Sequence, residues 1–148
     1  MTEDTPPAPP EGFKPSARGP YTTHNGPFFH RLTDESFEHA FFALKRHCNS
    51  LGIVHGGMLS TFMDGVLANA VGRETGGASV TVHLSLDFLS MARAGDWVFG
   101  DARVTRRTRD LVFVEGRIRV GTREVMRAAG IFKPVNRRTD PAQSRPAP

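Results

Sequence analysis

Cysteine is nearly missing from this 148-residue chain, where Cys48 stands alone. An intramolecular disulfide and a four-cysteine zinc site are therefore both excluded, and a reducing compartment such as the cytoplasm is the simplest setting. Long apolar runs are missing as well. No stretch nears the roughly 20 apolar residues that cross a bilayer, so no membrane partner is expected. The first ten residues hold Glu3, Asp4 and several prolines, where a secretory signal needs a basic start and an apolar run. The net charge of +4 invites a nucleic-acid reading, but the arginines between Arg103 and Arg138 are spread out. No stacking aromatics interleave with them and no nucleic-acid motif accompanies them, so most read as the solvated face of alternating strands.

What is present fits one domain, because a chain of this length fills a single core. Residues 1–20 are rich in proline and poor in large apolar groups, which predicts a disordered arm. Residues 136–148 read the same way, as a disordered tail, leaving a folded domain over 21–135. Two strands are expected over 27–32 and 37–47, joined by Thr33-Asp34-Glu35-Ser36. The second has imperfect alternation and leaves a helix as the alternative. A loop at Cys48-Asn49-Ser50-Leu51-Gly52 leads to His55-Gly56-Gly57. From there to about Val71 the pattern is helical, with Leu59, Phe62, Met63, Val66 and Ala70 on one side. The other side, with Ser60, Thr61, Asp64, Gly65 and Ala68, is small rather than charged, so this helix should be mostly buried. Period-two segments then follow over 79–89, 97–106, 111–120 and 124–133, predicting a four-strand antiparallel meander. One long helix and a sheet that wraps it make an α+β fold.

Asp64 lies more than two turns inside that helix, too deep for an N-cap. A carboxylate in such a place must be hydrogen-bonded, protonated or in a polar cavity, for either a functional or a structural reason. His55-Gly56-Gly57 gives the helix a bare N-terminus whose amides suit an oxyanion, though a tight helix entry alone accounts for the glycines. Asn49 is a candidate for orienting water or polarising a carbonyl, or a simple turn former. His55, similarly, is either a base or a structural hydrogen-bonding residue, the latter being the more common case.

Taken together, Asn49, His55-Gly56-Gly57 and Asp64 resemble the signature of hot dog fold acyl-CoA thioesterases of the PaaI-like group, which includes phenylacetyl-CoA thioesterases. The resemblance continues through 81–89, through Ala92-Arg93-Ala94-Gly95-Asp96, and into 112–115 and 128–132. It implies a hot dog fold, with a curved antiparallel sheet of about five or six strands around one long central helix, and hydrolysis of an acyl-CoA thioester. It implies that the Gly56 amide polarises the thioester carbonyl and that Asp64 is the general base or the nucleophile. Asn49 would help hold water or thioester, Thr81 would position the water, and His55 and Gly57 would shape the turn and contact substrate. No metal or cofactor is implied, coenzyme A being part of the substrate. The catalytic unit would be a homodimer or homotetramer, in which one subunit's helix N-terminus faces its partner's aspartate. Arginines such as Arg93, Arg106, Arg107 and Arg109 would suit the phosphates of coenzyme A. Two other readings are an acyl-CoA or acyl-carrier dehydratase, which needs a His and carboxylate in another arrangement, and a non-catalytic acyl-CoA binding module. A nucleic-acid role for the basic C-terminal arm is the third.

Overall fold

The computed structural model describes residues 3–135. The chain begins with a two-residue strand β1 (Lys14–Pro15) and a short helix α1 (Pro20–Asn25), followed by β2 (Phe28–Leu32) and β3 (Phe37–Phe42). A 3-10 turn (Lys45–His47) and the loop to His55 precede the long helix α2 (Gly56–Thr75). Four strands complete the fold: β4 (Ser79–Phe88), β5 (Trp97–Arg107), β6 (Val112–Val120) and β7 (Arg123–Pro134). All pairings are antiparallel, in the order β1-β2-β3-β5-β6-β7-β4. This is the α+β hot dog arrangement, an unclosed curved sheet around one long helix, with seven strands where five or six were expected.

The extra strand corrects the reading of residues 1–20 as a disordered arm. Phe13 is buried, and Lys14 and Pro15 pair with His30 and Phe29 of β2. Phe13 closes a small cluster with Phe29 and Ala40 on the sheet face away from α2, backed by Trp97 and Phe99. The same cluster explains the imperfect alternation in β3. Phe41 packs into the main core while its neighbour Ala40 is covered from the opposite face, so both faces are buried and no polar side is needed. The tail 136–148 lies outside the described residues.

The second strand stops at Phe42 rather than running to 47. His47 ends it, because its Nδ1 accepts from the Leu44 amide and its Nε2 meets the Asn25 carbonyl at 2.8 Å, folding the chain into the 3-10 turn. The expected four-strand meander is a three-strand one. β5, β6 and β7 follow one another, but β4 pairs with β7, because α2 carries the chain across the concave face to the far edge.

Helix α2 buries Met58, Leu59, Phe62, Met63, Val66, Leu67 and Val71 against the sheet. It lies close enough that three glycines on successive strands form a trough for it. A Cβ at Gly100 would meet Val66 at 3.0 Å, one at Gly116 would meet Leu67 at 2.8 Å, and one at Gly130 would meet Leu67 at 3.0 Å. The helix ends where Gly76 turns left-handed at φ 74° and its amide returns to the Gly72 carbonyl.

Candidate active site

The site grows from the two ends of one helical stripe. At the N-terminus His55 is the cap, and its Nδ1 accepts from the Gly57 amide at 2.8 Å. The amides of Met58 and Leu59 close onto the His55 carbonyl, so among the described residues the Gly56 N–H alone of this turn has no acceptor. An N–H at the first helical position has no partner within its own helix, and the helix dipole makes it a ready donor to negative charge. Gly57, by contrast, has its amide occupied. Ser60 Oγ donates to the Gly56 carbonyl at 2.7 Å and steadies the turn. Over Gly56 lies Phe88, whose ring would stand 3.4 Å from a Cβ placed there.

Two turns further on, half-buried Asp64 accepts a hydrogen bond from Thr81 Oγ1 at 2.7 Å. The carboxylate therefore has the partner its position demands and retains further lone pairs. Thr81 reaches it because β4 carries a bulge between Thr81 and His83, so that Thr81 faces the helix while Leu84 and Leu86 still pack against the core. Beside this pair the N-terminal segment crosses α2. Tyr21 Oη and Thr61 Oγ1 are 2.9 Å apart, and the Arg18 guanidinium lies against the backbone of Gly65.

Asn49 sits in the exposed loop before the helix. Its Oδ1 accepts from the amides of Leu51 and Ile53 at 2.9 and 3.2 Å, which is turn formation. Its NH2 is not used in that turn. The loop is held to the helix entry by the His55 amide on the His47 carbonyl and by the Cys48 and Val54 bridge. Arg93, bridged to Ile53, is at the Gly56 end of the molecule, whereas Arg107 donates to the Glu74 carbonyl at the other end of α2. Among the described residues no three His, Cys, Asp or Glu side chains converge on a common point.

The structure thus joins Asp64 to Thr81 and His55 to Gly57, but within one chain it keeps Gly56 away from Asp64. Eight helical residues separate them, or about 12 Å along the axis. Sequence reasoning missed Phe88, Tyr21 and Arg18. A periodic strand hides the first, and a segment read as disordered hides the other two.

A long helix wrapped by an unclosed antiparallel sheet defines the hot dog class of fold, and comparison with known proteins agrees. The chain belongs to the thioesterase superfamily, whose family model matches residues 51–126. It is 40% identical over 129 residues to a Pseudomonas aeruginosa protein named "Putative esterase PA0474", covering 83% of this chain and 95% of that one. A crystal structure from Ralstonia eutropha JMP134, named a "putative thioesterase, phenylacetic acid degradation-related protein", is 31% identical. It superimposes with a TM-score of 0.69 over 79% of this chain and 92% of that one. A Bacillus halodurans protein solved with CoA shares the fold, with a TM-score of 0.67 and 21% identity over 72% of this chain and 73% of that one.

Proposed function

We propose that this protein is an acyl-CoA thioesterase that hydrolyses its substrate to a free acid and coenzyme A, and that its site is completed by a second copy of the chain. The observation that carries the reading is the half-buried Asp64 carboxylate held by Thr81 at 2.7 Å on the helix that offers the free Gly56 N–H. Membership of the thioesterase superfamily and the likeness to a protein solved with CoA support the substrate class.

Gly56 and Asp64 of one chain stand too far apart to act on one carbonyl, so each site takes its donor from one subunit and its carboxylate from the partner. Strand β4 supports that pairing. It is a ten-residue edge strand with unpaired backbone groups, and Val80, Val82 and Phe88 on it, with Leu89 after it, are about half exposed. Long apolar edges are rarely left open in monomers. The catalytic unit is then a homodimer, and pairing of dimers gives a homotetramer.

In the reaction, the Gly56 N–H donates a hydrogen bond to the thioester oxygen as negative charge develops on it. Asp64 of the partner subunit takes a proton from water placed beside the Thr81 hydroxyl, and the water oxygen bonds to the carbonyl carbon. Collapse breaks the C–S bond, and the proton passes to the departing thiolate. In the alternative the same carboxylate attacks the carbonyl carbon directly and expels coenzyme A as its thiolate, and water then opens the resulting anhydride to the free acid and the Asp64 carboxylate, its proton passing to the thiolate. A thioester is activated enough for one amide and one carboxylate to suffice, so the reaction calls for no cofactor or metal. A free thiol at Cys48 and the need for an acyl-CoA pool support a cytoplasmic location.

The test is thiol release from a panel of aliphatic and aryl acyl-CoAs. Wild type is expected to turn over at least one class, and Asp64→Asn to lose on the order of 10²- to 10⁴-fold in kcat while remaining folded. Binding of acyl-CoA with no turnover by wild type would instead make this a binding module. Label in the Asp64 carboxylate after a single turnover in ¹⁸O-water identifies the anhydride route, since general-base catalysis puts the water oxygen only in the product acid and an anhydride opened at its aspartyl carbonyl puts it in Asp64.

A further inference from the structure

Arg18 differs from the other partly buried arginines. Arg31 and Arg119 both hold Glu38, and the more exposed Arg103, Arg117 and Arg127 pair with Glu115, Asp101 and Glu124. Arg18 is partly buried, yet among the described residues it has no carboxylate within ion-pair distance. Its acceptors are neutral. His39 Nδ1 takes one N–H at 2.9 Å, and the Asn69 amide, oriented with its oxygen toward the guanidinium, takes two at 2.9 and 3.2 Å. Burial and the neighbouring cations hold His39 down at about 3, so it adds no charge of its own at neutral pH. Removing a cation from water without a counter-charge is costly, and two neutral acceptors offset only part of that cost.

The cation borders a groove of about 350 Å³ that no acid lines. Gly65 and Gly72 of α2 leave its lining bare of side chains there, and Arg18 and Arg73 both line it. Arg73 is also without a carboxylate among the described residues and lies over the Phe37 ring at 4.9 Å from its centre. The guanidinium of Arg18 fits only because position 65 has no side chain, since a Cβ there would be 2.9 Å from its Nη1. The groove begins one residue from Asp64 and reaches Ser79, two residues before Thr81.

We propose that this groove is a second substrate subsite, specific for an anionic oxygen group, with Arg18 as its principal cation and Arg73 as its second. The inference rests on the thioesterase reading of the Asp64 site. Two sources have the required chemistry: a carboxylate at the far end of the acyl group, or a phosphate of coenzyme A. The spacing suits the first. The Arg18 guanidinium reaches from Gly65 to Asn69, about 1.5 to 7.5 Å along the helix from Asp64, within the reach of an acyl chain of up to about six carbons.

The experiment compares kcat/KM for glutaryl-CoA and pentanoyl-CoA, and for the same two acyl groups on N-acetylcysteamine, which carries no phosphate. Wild type, Arg18→Gln and Arg73→Gln are measured, the last because an exposed helical position tolerates the change in any fold. If the groove takes the acyl carboxylate, Arg18→Gln lowers the glutaryl values on both carriers on the order of 30-fold and leaves pentanoyl within about twofold. Arg73→Gln follows in the same sense to a smaller degree. If it takes a CoA phosphate, both CoA esters fall and neither N-acetylcysteamine ester does. Equal losses on all four substrates, or none, overturn the subsite. Should wild type hydrolyse no thioester, the thioesterase reading fails by itself. Calorimetric titration with glutarate and with inorganic phosphate then judges the groove: binding lost in Arg18→Gln upholds it, and no binding to wild type overturns it.

Discussion

At position 56 a helix N–H without an acceptor coincides with the first helical residue, the one interior place where proline fits. His55, before it, already has φ −59° and ψ 137°, the extended geometry that a following proline requires. Gly56→Pro therefore removes one hydrogen from the site and little else. A Cβ at this position meets Phe88 at 3.4 Å, an ordinary contact distance. The variant is expected to keep its fold by circular dichroism and thermal midpoint while kcat falls on the order of 10²- to 10³-fold. Wild-type turnover in this variant would remove the Gly56 amide from the mechanism. A second residue-scale expectation concerns acid. His39 is pushed down to about 3 from 6.5, first by burial, then by the charges of Arg18, His30 and Arg73. As pH falls below 6.5 the unfolded chain binds a proton that the folded one refuses until near 3. Stability is thus lost progressively over that window and is unaffected above it, the penalty from this one group reaching about 2 kcal/mol at pH 5. His47, also lowered by burial, adds in the same direction. Urea midpoints at pH 7.5 and 5 are expected to differ less in His39→Gln than in wild type, and an unchanged difference would show that His39 does not set the acid limit.

Between elements, the closest fit is the trough under α2. Gly116 faces Leu67 and Met63 at 2.8 and 2.9 Å from a would-be Cβ, and both partners are fully buried. Overpacking of this kind costs about 1–3 kcal/mol, so Gly116→Val is expected to lower stability by that amount, read from urea unfolding. Gly77→Ala, where an added Cβ meets nothing within 4 Å, is the control and should be near neutral. The same elements show what was legible in the sequence. The period-two segments and the helix were readable because each buries one face, the condition under which periodicity reports structure. The bracketing of Asp64 by Phe62, Met63, Val66 and Leu67 marked it as a carboxylate in need of a partner. What escaped had non-local causes. Phe13 and Ala40 cover each other across the outer sheet face, so neither segment shows a pattern alone. The bulge that turns Thr81 toward Asp64 arises from pairing with Phe132 and Ile131, some fifty residues away. The place of β4 at the edge depends on the path of α2, which local period does not encode. Arg18 was hidden because a proline-rich composition gives no hint that the segment is pinned by a buried aromatic.

On the scale of the whole molecule, the helix works as a ruler. Donor and carboxylate sit about 12 Å apart along it, so a twofold arrangement that brings two helices side by side in opposite directions generates two complete sites, each with one group from either chain. This has a consequence that no monomeric catalyst shares. Gly56→Pro and Asp64→Asn each spoil both sites of their own homodimer. In a hybrid of the two, however, one site receives both lesions and the other receives an intact Gly56 from one chain and an intact Asp64 from its partner. When the two inactive variants are unfolded, mixed in equal amounts and refolded together, half of the dimers are hybrids with one working site of two. Activity is expected to recover to roughly a quarter of an equal amount of wild type treated in the same way. A site complete within one chain predicts no recovery at all, because every chain carries a lesion. The apolar edge of β4 makes the companion expectation. Val82→Lys places a charge on an exposed edge position that packs against no core residue, so each chain should still fold. Sedimentation is then expected to shift toward monomer, and activity to fall with it in proportion to the dimer lost. Full activity in a monomeric Val82→Lys protein would return both groups to one chain and overturn the shared site.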